Sequence, residues 1–144
     1  MKKITFFMLA AVVTFFSACE TIKNLPTNTS GGLFSLNGSW KLSSTTDNNA
    51  QVGTVVSIAP AIASAFVKTF ENNSYCYRAG DEAWKSLSSR PNGGFTIQSL
   101  SSACNGTATY KTGEITVITN DQIRITTKTI TDANLVQEWS RVTK

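Results

Sequence analysis

The chain has 144 residues, with 13 Lys and Arg against 9 Asp and Glu, a formal charge of +4, and no histidine. Without histidine, the usual Ser-His-Asp and Cys-His nucleophile arrangements and every His-containing zinc site are excluded. The basic residues stand singly along the chain rather than in a cluster, so nucleic acid is not an expected partner.

The chain opens with Lys2 and Lys3, then an apolar run over residues 4–16, then Ser17, Ala18 and Cys19. A bilayer span needs about 20 apolar residues, so this run is too short to remain as one. A charged start, a short apolar core and small residues before a cut have the layout of a secretory signal peptide. Phe16-Ser17-Ala18-Cys19 resembles the lipobox of bacterial lipoproteins, with Phe16 where that family usually carries Leu or another aliphatic residue. The resemblance implies that residues 1–18 are removed, that the Cys19 thiol receives a diacylglyceryl group, and that its new amino group is acylated. Several acyl chains, each adding roughly 0.8 kcal/mol per buried CH₂, hold a protein stably on a membrane. The expected partner is therefore the membrane, reached through the N-terminal lipid. The expected location is the bacterial cell envelope, at the outer membrane. Loss of residues 1–18 takes away two lysines and no acids, and the charge falls to +2.

Residues 19–32 are rich in Thr, Asn and Gly, hold one Pro and show no apolar period. They read as a flexible tether. Residues 33–144 have the length of one small domain with one core. Cys76 and Cys104 are the remaining cysteines, an even pair in an oxidising compartment, and point to a single disulfide.

The domain reads mostly as strand. In GSWKLSS, Trp40 and Leu42 point one way while Lys41 and Ser43 point the other. Residues 54–70 are apolar without a clean period. Residues 61–68 suit a short helix by their alanines, yet Pro60 favours two strands, residues 54–59 and 64–70. DEAWKSL, residues 81–87, looks like one or two helical turns with Asp81 as N-cap and Trp84 and Leu87 on one face. Phe95, Ile97 and Ser99 alternate, as do Ile115 with Val117 and Ile123 with Ile125. Leu135, Gln137, Trp139 and Arg141 share one face of the last strand, with Val136 and Val142 on the other. Turn chemistry separates these runs at Asn92-Gly93-Gly94, Asn105-Gly106, Thr112-Gly113, Asn120-Asp121 and Asp132-Ala133-Asn134. Many short strands with close turns predict an all-β antiparallel barrel or sandwich.

Leu36-Asn37-Gly38-Ser39-Trp40 carries a Gly-x-Trp at the start of the first strand. It resembles the opening motif of the lipocalin and calycin superfamily. That resemblance implies a small antiparallel up-and-down β-barrel with Trp40 at its closed end. It also implies that Arg141 stacks on Trp40, with Gly38 letting the backbone approach closely. A guanidinium on an indole face gains cation–π attraction while its donors bind nearby carbonyls. The layout as a whole is similar to small bacterial lipocalin-like lipoproteins. The same L-x-G-x-W also resembles the META-like family of small β lipoprotein domains, whose Gly-Cys-Asn segment Ala103-Cys104-Asn105-Gly106 loosely matches.

Two functions follow as expectations. The first is a carrier of a small hydrophobic ligand, with Tyr75, Tyr77, Trp84 and Phe95 as the candidate pocket lining. The second is an interaction or structural lipoprotein with a side-chain-filled barrel, META-like, that binds another envelope protein. A roomy interior favours the first, and one packed by Phe, Trp and Ile the second. No enzymatic activity, metal or cofactor is expected. The acids are spread out, only Asp81 and Glu82 are adjacent, and there is no phosphate-cradling Gly-rich loop or Asp ladder for calcium.

Overall fold

The computed structural model describes residues 35–48, 50–91 and 93–143. Eight antiparallel strands follow one another around a closed ring. They are β1 (Ser39–Thr45), β2 (Val55–Ala59), β3 (Ser64–Thr69), β4 (Glu82–Ser89), β5 (Phe95–Ser102), β6 (Thr109–Thr119), β7 (Gln122–Lys128) and β8 (Asn134–Arg141). β8 pairs back onto β1, with Trp40 opposite Arg141 and Leu42 opposite Trp139. Single 3-10 turns at Pro60–Ile62 and Cys104–Gly106 are the helical segments among the described residues. The protein is an all-β up-and-down barrel.

Alternation sets the register. In β7, Ile123, Ile125 and Thr127 are buried while Gln122, Arg124, Thr126 and Lys128 face solvent. In β8, Leu135, Gln137 and Trp139 are buried. A slip of one residue in either strand would turn these side chains out of the core, which is why the pairing is well specified. The apolar stretch of residues 54–70 divides into β2 and β3 around Pro60, and Ala63 makes the turn with a φ of 51°. The outer face is polar, with ion pairs such as Arg124–Glu138 at 2.8 Å between β7 and β8. Exposed pairs of this kind contribute at most about 1 kcal/mol.

Two local expectations fail. DEAWKSL is not helical; it contributes most of β4. Asp81 does not cap a helix, because its carboxylate accepts the backbone N–H of Arg78 at 2.8 Å and closes a turn before the strand. Ser86 takes a φ of 56°, and the pairing with β5 shifts between Lys85 and Ser88. That bulge interrupts the alternation after Lys85, and a second shift, in the pairing with β3 between Glu82 and Trp84, goes with Ala83 and Trp84 being adjacent and both buried. Burial of Trp84 in the barrel outweighs the local preference for helical turns.

Thr112-Gly113 is not a turn either, since it lies inside β6. Gly113 stands opposite Ile97, and a Cβ there would come 3.0 Å from the Thr127 Cβ. The glycine serves close approach of neighbouring strands, not chain reversal.

The up-and-down order places alternate connections at opposite ends. One end holds the start of β1, the end of β8 and the short β2–β3, β4–β5 and β6–β7 turns. The other holds the longer β1–β2, β3–β4 and β5–β6 loops and the β7–β8 turn.

Candidate functional site

At the short-turn end, Trp40 is fully buried and its indole Nε1 donates to the Leu36 carbonyl at 2.8 Å. The Arg141 guanidinium carbon lies 4.3 Å from the Trp40 ring centroid. Its three nitrogens are all engaged. Nη1 donates to the Asn37 carbonyl and Nη2 to the Ser35 carbonyl, both at 2.5 Å, and Nε donates to the Asn120 carbonyl at 3.0 Å. Asp121 adds a carboxylate 3.4 Å from Nε. One side chain thus ties the segment before β1 to the β6–β7 turn. Gly38 has a φ of 113°, and a Cβ on it would sit 3.2 Å from Arg141 Nη1. A left-handed backbone and a nearby cation both favour glycine there. This arrangement holds the start of β1 against the end of β8.

The interior is occupied. Trp84 and Trp139 meet edge to face with ring centroids 5.0 Å apart. Trp40, Leu42, Val56, Val67, Phe95, Ile97, Ile115, Ile123 and Ile125 belong to the same buried cluster. Of the four candidate pocket aromatics, Tyr77, Trp84 and Phe95 belong to this same buried cluster and Tyr75 packs against it. Phe95 begins β5 at the short-turn end, whereas Tyr75 and Tyr77 lie in the β3–β4 loop at the other. Trp84 and Phe95 are core residues, 1% and 2% exposed. Tyr75 and Tyr77 do pack together, with centroids 6.1 Å apart.

The loops of the far end are laced to one another. The Tyr75 hydroxyl donates to the Asp47 carboxylate, which joins the β3–β4 loop to the β1–β2 loop. The Gln51 backbone N–H reaches the Asn72 carbonyl at 3.3 Å. A disulfide joins Cys76 to Cys104, Cα atoms 5.0 Å apart, and the Ala103 N–H bonds the Tyr75 carbonyl at 2.8 Å. Tyr77 is buried beneath this lacing and donates its hydroxyl to the Leu100 carbonyl at 2.6 Å. Burial pushes its phenol well above the ordinary value, and Tyr110 and Asp81 push it the same way.

Sequence reasoning missed two features of this end. Gln51 and Thr54 are buried at 1% and 0% exposure, and neither side chain has a hydrogen-bond partner among the described residues. Nothing in a polar, turn-rich stretch distinguishes them from solvated loop residues. Beside the disulfide there is also a half-open cleft of about 110 Å³ bordered by Arg78, Asp81, Glu82, Ala103, Gly106 and Tyr110. Burial raises the Tyr110 phenol, with Glu82 and then Asp81 adding to the effect. The cleft is small beside the roughly 300–1,000 Å³ of ordinary small-molecule sites.

Among the described residues there is no group of three or more His, Cys, Asp or Glu placed to hold a metal, and no helix long and apolar enough to cross a membrane. Cys19, the apolar run and the tether lie outside the described residues. No family model matches the chain, and no curated protein or solved structure matches it either.

Proposed function

We propose that the chain is a lipid-anchored, non-enzymatic protein of the bacterial envelope, held at the outer membrane through Cys19. Its barrel is a filled scaffold, and its outer surface and loop end engage another envelope protein. The observation that carries this reading is the Trp84–Trp139 contact at 5.0 Å, which links strands on opposite walls of the ring. An eight-stranded barrel is just wide enough either to be filled by side chains or to hold one small ligand. Two indoles meeting across the interior favour the filled scaffold over a carrier of a small hydrophobic molecule. The anchor rests on the lipobox-like Phe16-Ser17-Ala18-Cys19 and the short apolar run before it.

Native mass spectrometry of the chain from its own host tests the reading. The expected result is acyl mass on Cys19 and no other adduct. A reproducible extra mass released by mild denaturation would replace the scaffold reading with the carrier reading. Photo-crosslinking in intact cells, from residues such as the exposed Ile130 in the β7–β8 turn, is expected to give a discrete adduct with one envelope protein. Absence of any adduct from positions around the loop end and the outer face would reject a protein partner.

A further inference from the structure

Three buried polar atoms in one turn have no partner among the described residues: Nε2 and Oε1 of Gln51 and Oγ1 of Thr54. The turn is closed by the Thr54 N–H bonding the Gln51 carbonyl at 2.9 Å. Its backbone is otherwise committed. Gly53 N–H bonds the Leu42 carbonyl, and Leu42 N–H bonds the Thr54 carbonyl, both at 2.9 Å. The neighbouring loop covers it: Asn72 takes the Gln51 N–H, and a Cβ on Gly53 would run into the Glu71 carboxylate.

Gln51 also holds a φ of 67°, a region that residues other than glycine enter only when the surroundings compel them. Its backbone N–H and carbonyl are both engaged, and its side chain lies buried at 1% exposure. A primary amide brings two donors and an acceptor with two lone pairs. Buried groups of this kind in native proteins have partners in the great majority of cases, from protein or from ordered water. An apolar side chain of the same length would fill the space without that demand.

We infer that Gln51 and Thr54 form an internal binding site for water, shut off from bulk solvent at the loop end of the barrel. Water matches the chemistry, since it both donates and accepts and typically makes about three bonds to groups that the protein leaves unpaired. The bound water joins the β1–β2 turn to itself through side chains, where its backbone bonds already join it to β1 and to the β3–β4 loop. Exchange of this water requires the turn to part from Asn72, so its residence time reports opening of the laced end.

The test is water-to-protein NMR on the full chain labelled with ¹⁵N. The expected result is a cross-peak between water and the Gln51 side-chain NH₂ with the sign of a water that tumbles with the protein. Dipolar contact with a bound water gives opposite signs in the laboratory-frame and rotating-frame versions of the experiment, whereas proton exchange with water gives the same sign in both. Gln51→Met, unbranched and of similar length, gives a second readout. With water bound, the variant leaves Thr54 and the water short of a partner and lowers the denaturation midpoint. An amide with no partner at all would make the same variant more stable. A missing cross-peak in the parent chain, a cross-peak that carries only the exchange signature, or a raised midpoint in Gln51→Met overturns the site.

Discussion

Trp84 on β4 and Trp139 on β8 pack edge to face although three strands lie between them either way round the ring. The rings are nearly perpendicular, at 83°, the arrangement in which the positive edge of one meets the negative face of the other. The contact joins opposite walls and belongs to the central packing, not to one local hairpin. Truncating either indole leaves a hole the barrel cannot close by shifting a loop. Trp139→Ala is expected to lower stability by about 3–5 kcal/mol, read as a drop in urea midpoint at unchanged m-value. A loss below about 1 kcal/mol would show that the interior relaxes around the missing ring and is not tightly filled.

Arg141 acts at the other extreme, on a single cluster at the short-turn end. Arg141→Ala removes three charge-assisted bonds and the contact with Trp40, and is expected to cost about 2–3 kcal/mol. Arg141→Lys should recover little of it, because an ammonium cannot reach the Ser35, Asn37 and Asn120 carbonyls together while covering the ring. A loss under about 0.5 kcal/mol, the range of ordinary surface substitutions, would remove Arg141 from the closure.

The Cys76–Cys104 bridge has a sequence separation of 28 residues. The chain-entropy account assigns a bridge of that span about 3 to 4 kcal/mol. Alkylation without reductant should leave both thiols unmodified in the intact mass. The double variant Cys76→Ser, Cys104→Ser should melt lower while keeping the far-UV signature of the barrel, since the bridge joins loops and not strands. Free-thiol labelling of both cysteines in the native protein would count against the pairing.

Tyr77 gives the barrel an alkaline limit. Its phenol is raised above 10.0 in the folded state, first by burial. A raised acid means that the unfolded chain loses this proton first. The stabilisation is therefore complete below about pH 10, the unfolded value, and declines as pH rises toward the folded value. Tyr110 is raised too and contributes in the same direction. Tyr77→Phe should lose about 1 kcal/mol at neutral pH through the bond to Leu100. The gap between variant and parent should narrow above pH 10, and denaturant titrations at pH 8 and pH 10.5 would measure it. A gap that does not narrow would show that Tyr77 ionises as easily in the fold as outside it.

The anchor proposal has its own check. Cys19→Ser should move the protein from the membrane fraction to the soluble fraction and abolish acyl mass. Membrane retention unchanged by that substitution would reject lipidation at Cys19.

Much of the barrel was legible because β7 and β8 obey strict alternation and because Pro60 marks a break between β2 and β3. The cysteine pair was legible by arithmetic, since Cys76 and Cys104 are the two cysteines of the domain and allow one pairing within it. β4 was not, because the positive φ at Ser86 displaces the period that would reveal a strand. Gly113 misled because glycine marks turns and close strand approach alike. The sequence did not show where the four aromatics sit along the barrel: the topology puts Phe95 at the short-turn end and Tyr75 at the other, with one buried cluster between them. The Gln51 and Thr54 site left no trace, since their burial arises from a separate loop laid across them.

If the chain is anchored at a membrane as proposed, its copies meet at close range, and the return of β8 onto β1 then governs how they can touch. An open sheet ends in rows of unused amide and carbonyl groups that template the addition of further strands from other chains. Here each of the eight strands already has a neighbour on both sides. Copies concentrated on one bilayer leaflet would thus lack a backbone rail on which to zip together. A partner would likewise have to recognise side chains or loop tips, since it cannot join by extending the sheet.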